Sequence, residues 1–394
     1  MAEETTPGTP GAESPGPVAA LMGQLAMARA FKSVVFDDNT KTWQVVRYDE
    51  AVQVLTDAST FSAQLDRVMP LGTVNRGNLG FMDPPEHNQA RALVGQAFTP
   101  RTVQELGARM ETVTEELLTG LAGRGEFDLI ADFAYTLPVI TIAELLGVPA
   151  EDRALFHKWA QARASTTSAV TDVLKDEKVM GALREQTEYF SEHARARRKN
   201  PGDDLLSQLT QAELDGDRLD EEEIANFAGL LLMAGHVTAT SVIASAVLAL
   251  DDHPDQAAAL RADPALLPGA IEETVRYYPP LSQAFRVTTR EVELGGETIP
   301  EGQIVVAWML SANHDERRFT DPQKFDIRRD PNPHIGFSRG VHFCLGAALA
   351  RLEIRIALEG LYRHFPNLKV LPGTEWHDNL RLIGPRYLPV GTGS

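Results

Sequence analysis

The chain has 394 residues, 43% of them hydrophobic, and a formal net charge of −18. That supplies a large globular core, while the acidic balance opposes binding to nucleic acid or to an anionic membrane face. A single cysteine, Cys344, excludes an internal disulfide or a site built from several thiolates, and fits a reducing, cytoplasmic compartment.

Residues 1–18, rich in Pro, Gly, Thr, Ala and Glu, read as a disordered leader. They show no basic start followed by an apolar core, so no secretory signal is expected. Residues 19–394 read as one domain, without repeat or second linker. A strand is predicted over Trp43–Arg47 and a short helix over Asp49–Thr56. Prolines in a first turn start a helix over Pro85–Phe98. Further helices are predicted over Arg101–Leu121, Leu129–Leu146, Glu151–Ala164 and Leu183–Arg197. A loop follows at Asn200–Asp203 and a turn at Asp215-Gly216.

Asp220 and Glu223 have capping-box spacing. They introduce Ala225–Leu250, which contains no Asp, Glu, Lys or Arg. Its length would span a membrane. Asn226, His236, Thr238, Thr240, Ser241 and Ser245, with acids at both ends, favour a helix buried at the centre of the protein. Helices at Pro254–Ala262 and Leu267–Tyr277 follow. Glu291–Gly296 and Thr298–Trp308 read as an antiparallel pair about Gly295-Gly296. A loop-rich stretch over Ser311–Gly340 leads to a last helix, Leu345–Phe365. The fold class expected is mainly α with small β-sheets.

Phe337–Gly346 (FSRGVHFCLG) carries the clearest chemistry. Gly340 and Gly346 give backbone freedom for a tight turn and close approach to a flat ligand. Cys344 precedes a helix start, where amides and dipole favour a thiolate, the ligating form. An inert buried cysteine is the ordinary alternative. The glycine frame, His342 and the aromatics oppose it. Cys344 as a nucleophile with His342 as base is poorly served by two residues on one tight loop.

This segment resembles the cysteine loop of the cytochrome P-450 family, Phe-x-x-Gly-x-His/Arg-x-Cys-x-Gly, with every fixed position present. Ser338 stands where the family usually has glycine. The resemblance implies a heme buried between the long central helix and this loop, with Cys344 as the iron ligand. Phe337 and Gly346 lie beside the heme, and His87, Arg91, Arg286 and His342 contact its propionates. Glu273 and Arg276 match the family's structural Glu-x-x-Arg. Arg286 is expected to open a strand. Ala234, Gly235 and Thr238 match the oxygen groove of the central helix, with small residues passing close over the heme and Thr238 helping to deliver protons. Val237 departs from the family, which usually has an acid there.

The resemblance further implies a bacterial-type, soluble, monomeric monooxygenase using heme b and dioxygen. No strand followed by Gly-x-Gly-x-x-Gly marks a flavin or nicotinamide site. NAD(P)H therefore acts only indirectly, through a ferredoxin and its reductase. Arg339, Arg351 and Arg355 are expected to form the basic docking patch for ferredoxin. Pocket-lining segments are expected at Leu65–Leu79, Leu230–Met233, Leu281–Phe285 and Leu382–Ile383. Their apolar character suggests a hydrophobic small molecule such as a polyketide, terpenoid, steroid or fatty acid. The loss of the acid at Val237 leaves a peroxide-driven or oxidative coupling enzyme as an alternative. A heme-binding sensor without turnover is the alternative of another class.

Overall fold

A computed structural model describes residues 16–69, 77–95, 100–152, 155–156, 158–159, 176–213, 218–378 and 380–393. Helix α1 (Pro17–Phe31) leads into β1 (Val34–Asp37), β2 (Thr42–Val45), α2 (Tyr48–Thr56) and β3 (Phe61–Ser62). Then come α3 (Glu86–Gly95), α4 (Pro100–Leu121), β4 (Glu126–Asp128), a π-helical turn at Ile130–Ala134 and α5 (Thr136–Leu145). After α6 (Glu177–Lys199) and α7 (Leu205–Gln211) comes the longest helix, α8 (Glu221–Asp252), followed by α9 (Pro254–Ala262) and α10 (Leu267–Tyr277). Strands β5 (Ala284–Thr288), β6 (Val292–Leu294), β7 (Glu297–Ile299) and β8 (Ile304–Ala307) precede the short α11 (Met309–Ala312) and the last long helix, α12 (Ala347–His364).

Helix α8 is the axis. Its start is closed by the expected reciprocal cap: Asp220 accepts from the Glu223 N–H and Glu223 from the Asp220 N–H, each at 2.9 Å. The three acids of the first turn complement the helix dipole. From Ala239 to Leu250 every side chain is buried. Val242–Leu250 pack with Val113 and Leu118 of α4, Ala270 and Ile271 of α10, and Ile354, Ala357 and Leu361 of α12. Each valine, leucine or isoleucine among them contributes about 1.5–3 kcal/mol by leaving water, and each alanine less. The membrane test is therefore passed by composition alone: the apolar length of α8 faces protein.

The largest sheet has the order β1-β2-β8-β5-β3, with β2 parallel to β8 and the other pairs antiparallel. The run expected as one strand over Thr298–Trp308 is broken by Pro300–Gly302. Its first part pairs in the β6–β7 hairpin, and its second, β8, joins the large sheet. Arg286 lies within β5, opposite Val305, and does not open the strand. Three helices were not anticipated: α1, α7 and the single turn α11. In α1, Val18, Leu21 and Leu25 bury one face against Val46, Leu310 and Ile383. In α7, the Asp204 side chain caps the first turn by accepting from the Ser207 N–H. The expected leader overlaps α1 by two residues, Pro17 and Val18. The rest of the leader, most of the helix over Glu151–Ala164, the end of the helix at Phe98 and the Asp215-Gly216 turn lie outside the described residues.

Glu273 and Arg276 are buried and tie α10 to the coil over residues 313–332. Arg276 donates twice to Glu273, each at 2.8 Å, and reaches the carbonyls of Asn313, Pro322 and Lys324. Glu273 also accepts from Arg329, Asn332 and the Asp326 N–H. The arrangement satisfies both charges inside the protein, the condition under which a buried ion pair is tolerated. Arg329, Asn332 and Asn313 carried no mark in the sequence. Replacing Arg276 by Leu strands three carbonyls and removes one of the two guanidinium groups that compensate Glu273. Denaturant unfolding should show a loss of about 3–5 kcal/mol relative to the parent protein.

Candidate functional site

The cysteine loop is held as a unit. The Cys344 N–H donates to the Phe337 carbonyl at 2.9 Å. Gly340 has φ +69°, and a methyl there would stand 2.8 Å from the Leu55 carbonyl oxygen, so glycine is required. Ser338 also adopts a left-handed backbone, φ +62°. That explains the glycine usual at this position and makes Ser338 a strained substitute. Gly346 differs from expectation: it caps α12 with an ordinary φ of −85°, and a methyl there would meet no protein atom within 4 Å. Its contribution is open space beside the cysteine, not backbone freedom.

Cys344 is half-buried, and burial pushes its thiol up. The Gly346 N–H, Arg91 and Arg351 pull the other way without reversing the shift. The helix start alone therefore does not make a thiolate, contrary to the sequence argument, because desolvation outweighs one amide and two guanidinium groups. A metal cation touching sulfur would reverse that balance. Among the described residues no three His, Cys, Asp or Glu side chains gather to hold a metal. An iron on Cys344 therefore needs its remaining ligands from a prosthetic group.

Four donors converge beside the loop. His87 is buried on α3, and its ring lies 4.5 Å from that of His342, centroid to centroid. Arg286 is buried on β5. Arg91, on α3, donates to the carbonyls of Val341 and Phe343 at 3.1 and 2.7 Å, bracing the loop with two of its five N–H groups. Burial, then Arg286, His87 and Arg91, drive His342 down to about 3. His87 is lowered by burial, with Arg91 and Arg286 adding to the shift. Burial takes Arg286 down to about 10, with Asp83 as the opposing charge. Asp83 is fixed by the Ser62 hydroxyl and the Ala63 N–H. His342 Nε2 is buried without a hydrogen-bond partner. A cluster of cationic and imidazole donors with an orphaned nitrogen is a binding site for anions. Paired carboxylates at the edge of a flat, apolar ligand fit it.

Helix α8 presents its other functional face. Leu230, Met233, Ala234, Val237 and Thr238 recur at helical spacing and are not buried, although the helix beyond them is. Ala234 is exposed, and the Thr238 hydroxyl donates to its carbonyl at 2.7 Å. Gly235 points elsewhere: a methyl there would fall 2.6 Å from Ile142 of α5, so its smallness lets two helices pack. This corrects its placement in the oxygen groove. His236 is buried edge-on against Tyr135, 5.4 Å between centroids. Leu345, next to Cys344, packs on the cluster that contains Leu232 and Ile142, which joins the cysteine loop to mid-α8.

A cavity of about 430 Å³ opens above that face, lined by Leu230, Met233, Asn226 and Gly229 of α8, Gln186 and Thr187 of α6, and Asn78 and Phe81. Only Leu230, Met233 and Asn78 fall in the expected pocket segments. The α6 wall was missed because its polar side chains read as a solvated face. Of the other segments, residues 70–76 lie outside the described residues, and Ile383 is buried against Leu310 and Val46. Leu281 is 47% exposed and bridges to Leu382. The expected basic patch is largely consumed internally. Arg339 donates to Tyr48 and the Pro333 carbonyl, Arg351 pairs with Glu272, and Arg355 pairs with Glu359. Phe337 is likewise engaged, with the Arg351 guanidinium 4.4 Å over its ring.

Known proteins share this architecture. The family model of cytochrome P-450 matches residues 167–384. The cyclomarin C epoxidase CymV of Salinispora arenicola is 45% identical over 89% of this chain and 90% of its own length. The erythromycin C-12 hydroxylase of Saccharopolyspora erythraea is 41% identical over 92% of each. The ligand-free structure of cytochrome P-450 TbtJ1 superposes with a TM-score of 0.88 at 45% identity, covering 95% of this chain and 98% of that one. A structure described among unusual cytochrome P-450-like monooxygenases of microbial secondary metabolism reaches a TM-score of 0.91 at 38% identity, covering 96% and 98%. The braced cysteine loop, the donor cluster beside it and the open groove on α8 suit a heme, and the chain belongs to the cytochrome P-450 family.

Proposed function

We propose that Cys344 holds a heme b iron as thiolate, that His87, Arg91, Arg286 and His342 secure the propionates, and that the enzyme oxygenates a hydrophobic small molecule of secondary metabolism. The observation that carries this is the donor cluster: four donor groups, faced by the carboxylate of Asp83, crowd together beside the only cysteine of the chain. A heme held by Cys344 would supply dioxygen activation and oxygen transfer, as in this family generally. The residues of the chain do the rest.

Gly346 leaves open space beside the cysteine and Ala234 is exposed on α8, room in which these elements would hold a heme. Leu230, Met233 and Val237 offer the apolar surface that excludes water and holds the substrate's reacting part. Thr238 moves protons. Its hydroxyl now donates to Ala234, and rotating that bond outward places the proton in the groove while water recharges the oxygen. With valine at 237 no carboxyl side chain recharges it from that position. Electrons come from a ferredoxin and its reductase in the cytoplasm, NAD(P)H acting only through them.

The same site gives the substrate an edge preference. Gln186 is buried in the cavity wall, and its amide nitrogen has no partner in the protein. Gly229 allows its oxygen end to lie against α8. A carbonyl or ether oxygen on the substrate would satisfy the nitrogen. The substrate is therefore apolar at the end facing Ala234 and bears an oxygen acceptor toward α6.

Turnover should consume dioxygen when ferredoxin, reductase and NAD(P)H are supplied. Thr238→Ala should cut product formation by about 10²-fold while reducing equivalents continue to be consumed. Equal turnover on peroxide alone, insensitive to Thr238, would establish the peroxide-driven alternative instead. In optical titrations with a compound library, Gln186→Leu should weaken oxygen-bearing ligands by up to about tenfold and leave hydrocarbons unchanged. Uniform weakening would place Gln186 outside substrate recognition.

A further inference from the structure

Behind the cysteine loop lies a second charged cluster with no part in the donor site. Arg351, on α12, forms a bidentate pair with Glu272 on α10, Nε to Oε1 at 2.6 Å and Nη2 to Oε2 at 2.9 Å. The same guanidinium stacks on Phe337, 4.4 Å from the ring centroid. Phe337 is the residue whose carbonyl accepts the Cys344 N–H. Arg351 therefore rests on the loop's own scaffold, and its charge acts on the sulfur as the sulfur's acts on it.

Glu272 is over-supplied with donors. His334 Nε2 lies 3.0 Å from Oε2, and the Gly336 N–H donates to His334 Nδ1 at 3.2 Å. With Nδ1 accepting from Gly336, His334 turns Nε2 to donate to Glu272. Burial alone would raise the Glu272 carboxyl, but Arg351 and His334 outweigh it and hold it at about 2. Glu272 is thus fully charged at neutral pH. The pair is only partly exposed, 38% for Arg351 and 30% for Glu272. Its field is screened less than that of a surface pair.

We infer that Arg351 and Glu272 together set the electron density on the Cys344 sulfur, and with it the reduction potential of the bound iron. Arg351 does so through a positive charge seated on the Phe337 ring, Glu272 by offsetting that charge. Both are positioning residues. The inference rests on the reading of Cys344 as the iron ligand. A positive charge near the thiolate favours the electron-richer, reduced centre, and a negative charge disfavours it. The two residues therefore have opposite signs of effect, which a merely bracing role does not.

The test is spectroelectrochemical titration of the heme-loaded protein and its variants, after the carbon monoxide spectrum of the reduced parent has verified thiolate ligation. Glu272→Gln should move the potential positive, Arg351→Gln should move it negative, and Arg351→Lys should stay close to the parent. Shifts of the same sign in Glu272→Gln and Arg351→Gln, or a lysine variant displaced as far as the glutamine one, would overturn the inference. If Arg351→Gln does not load heme, Glu272→Gln decides alone, and an unchanged or more negative potential overturns it. A parent spectrum without thiolate character overturns the ligand assignment itself, and this inference with it.

Discussion

The sulfur of Cys344 sits where burial disfavours its charge, and a metal cation in direct contact would favour the thiolate. The rest of the site follows from that constraint. The loop must hold the sulfur in place before the metal arrives, which the Phe337 carbonyl, left-handed Gly340 and Arg91 accomplish. The cation must come with its other ligands attached, since the described side chains offer no second metal ligand set. A porphyrin brings two carboxylates, and in the proposed assignment His87, Arg91, Arg286 and His342 would complement them.

The scaffold keeps these parts in register. Helix α8 is buried along its C-terminal half and turns its groove outward only at mid-length. Glu273 and Arg276 fasten α10 to the coil that leads into the cysteine loop. Asp83 fixes the turn ahead of α3 and faces Arg286, so the acid nearest the donor cluster also orders the segment that carries His87. The buried Glu273–Arg276 pair is saturated by protein partners, whereas the donor cluster leaves an orphan nitrogen at His342.

Much of this was legible in the sequence where one residue type answers one physical need. The capping box of α8 and the proline start of α9 stand as expected, because a cap or a proline acts within one turn; in the cysteine loop Gly340 has the expected backbone freedom, whereas Gly346 has an ordinary backbone. Helix α1 was missed although Val18, Leu21 and Leu25 have helical spacing, since the leader's composition masked them. The split of residues 298–308 between two sheets depends on pairing partners distant in sequence, which no local pattern encodes. Gly235 and Gly346 show the same limit at the site. Both are small residues in the right places, but one faces Ile142 and the other faces open space. Gln186 carried no signal at all, being one polar residue on an amphipathic helix until the cavity defines which face it lines.

The central claim is a bond between Cys344 sulfur and porphyrin-held iron. The most direct measurement is the absorption spectrum of the reduced, carbon monoxide-bound protein, recorded for the parent and for Cys344→Ser. The account predicts a strongly red-shifted Soret band in the parent that disappears in the variant. A parent band at the position given by neutral axial ligands, or an unaltered spectrum in the variant, would contradict it.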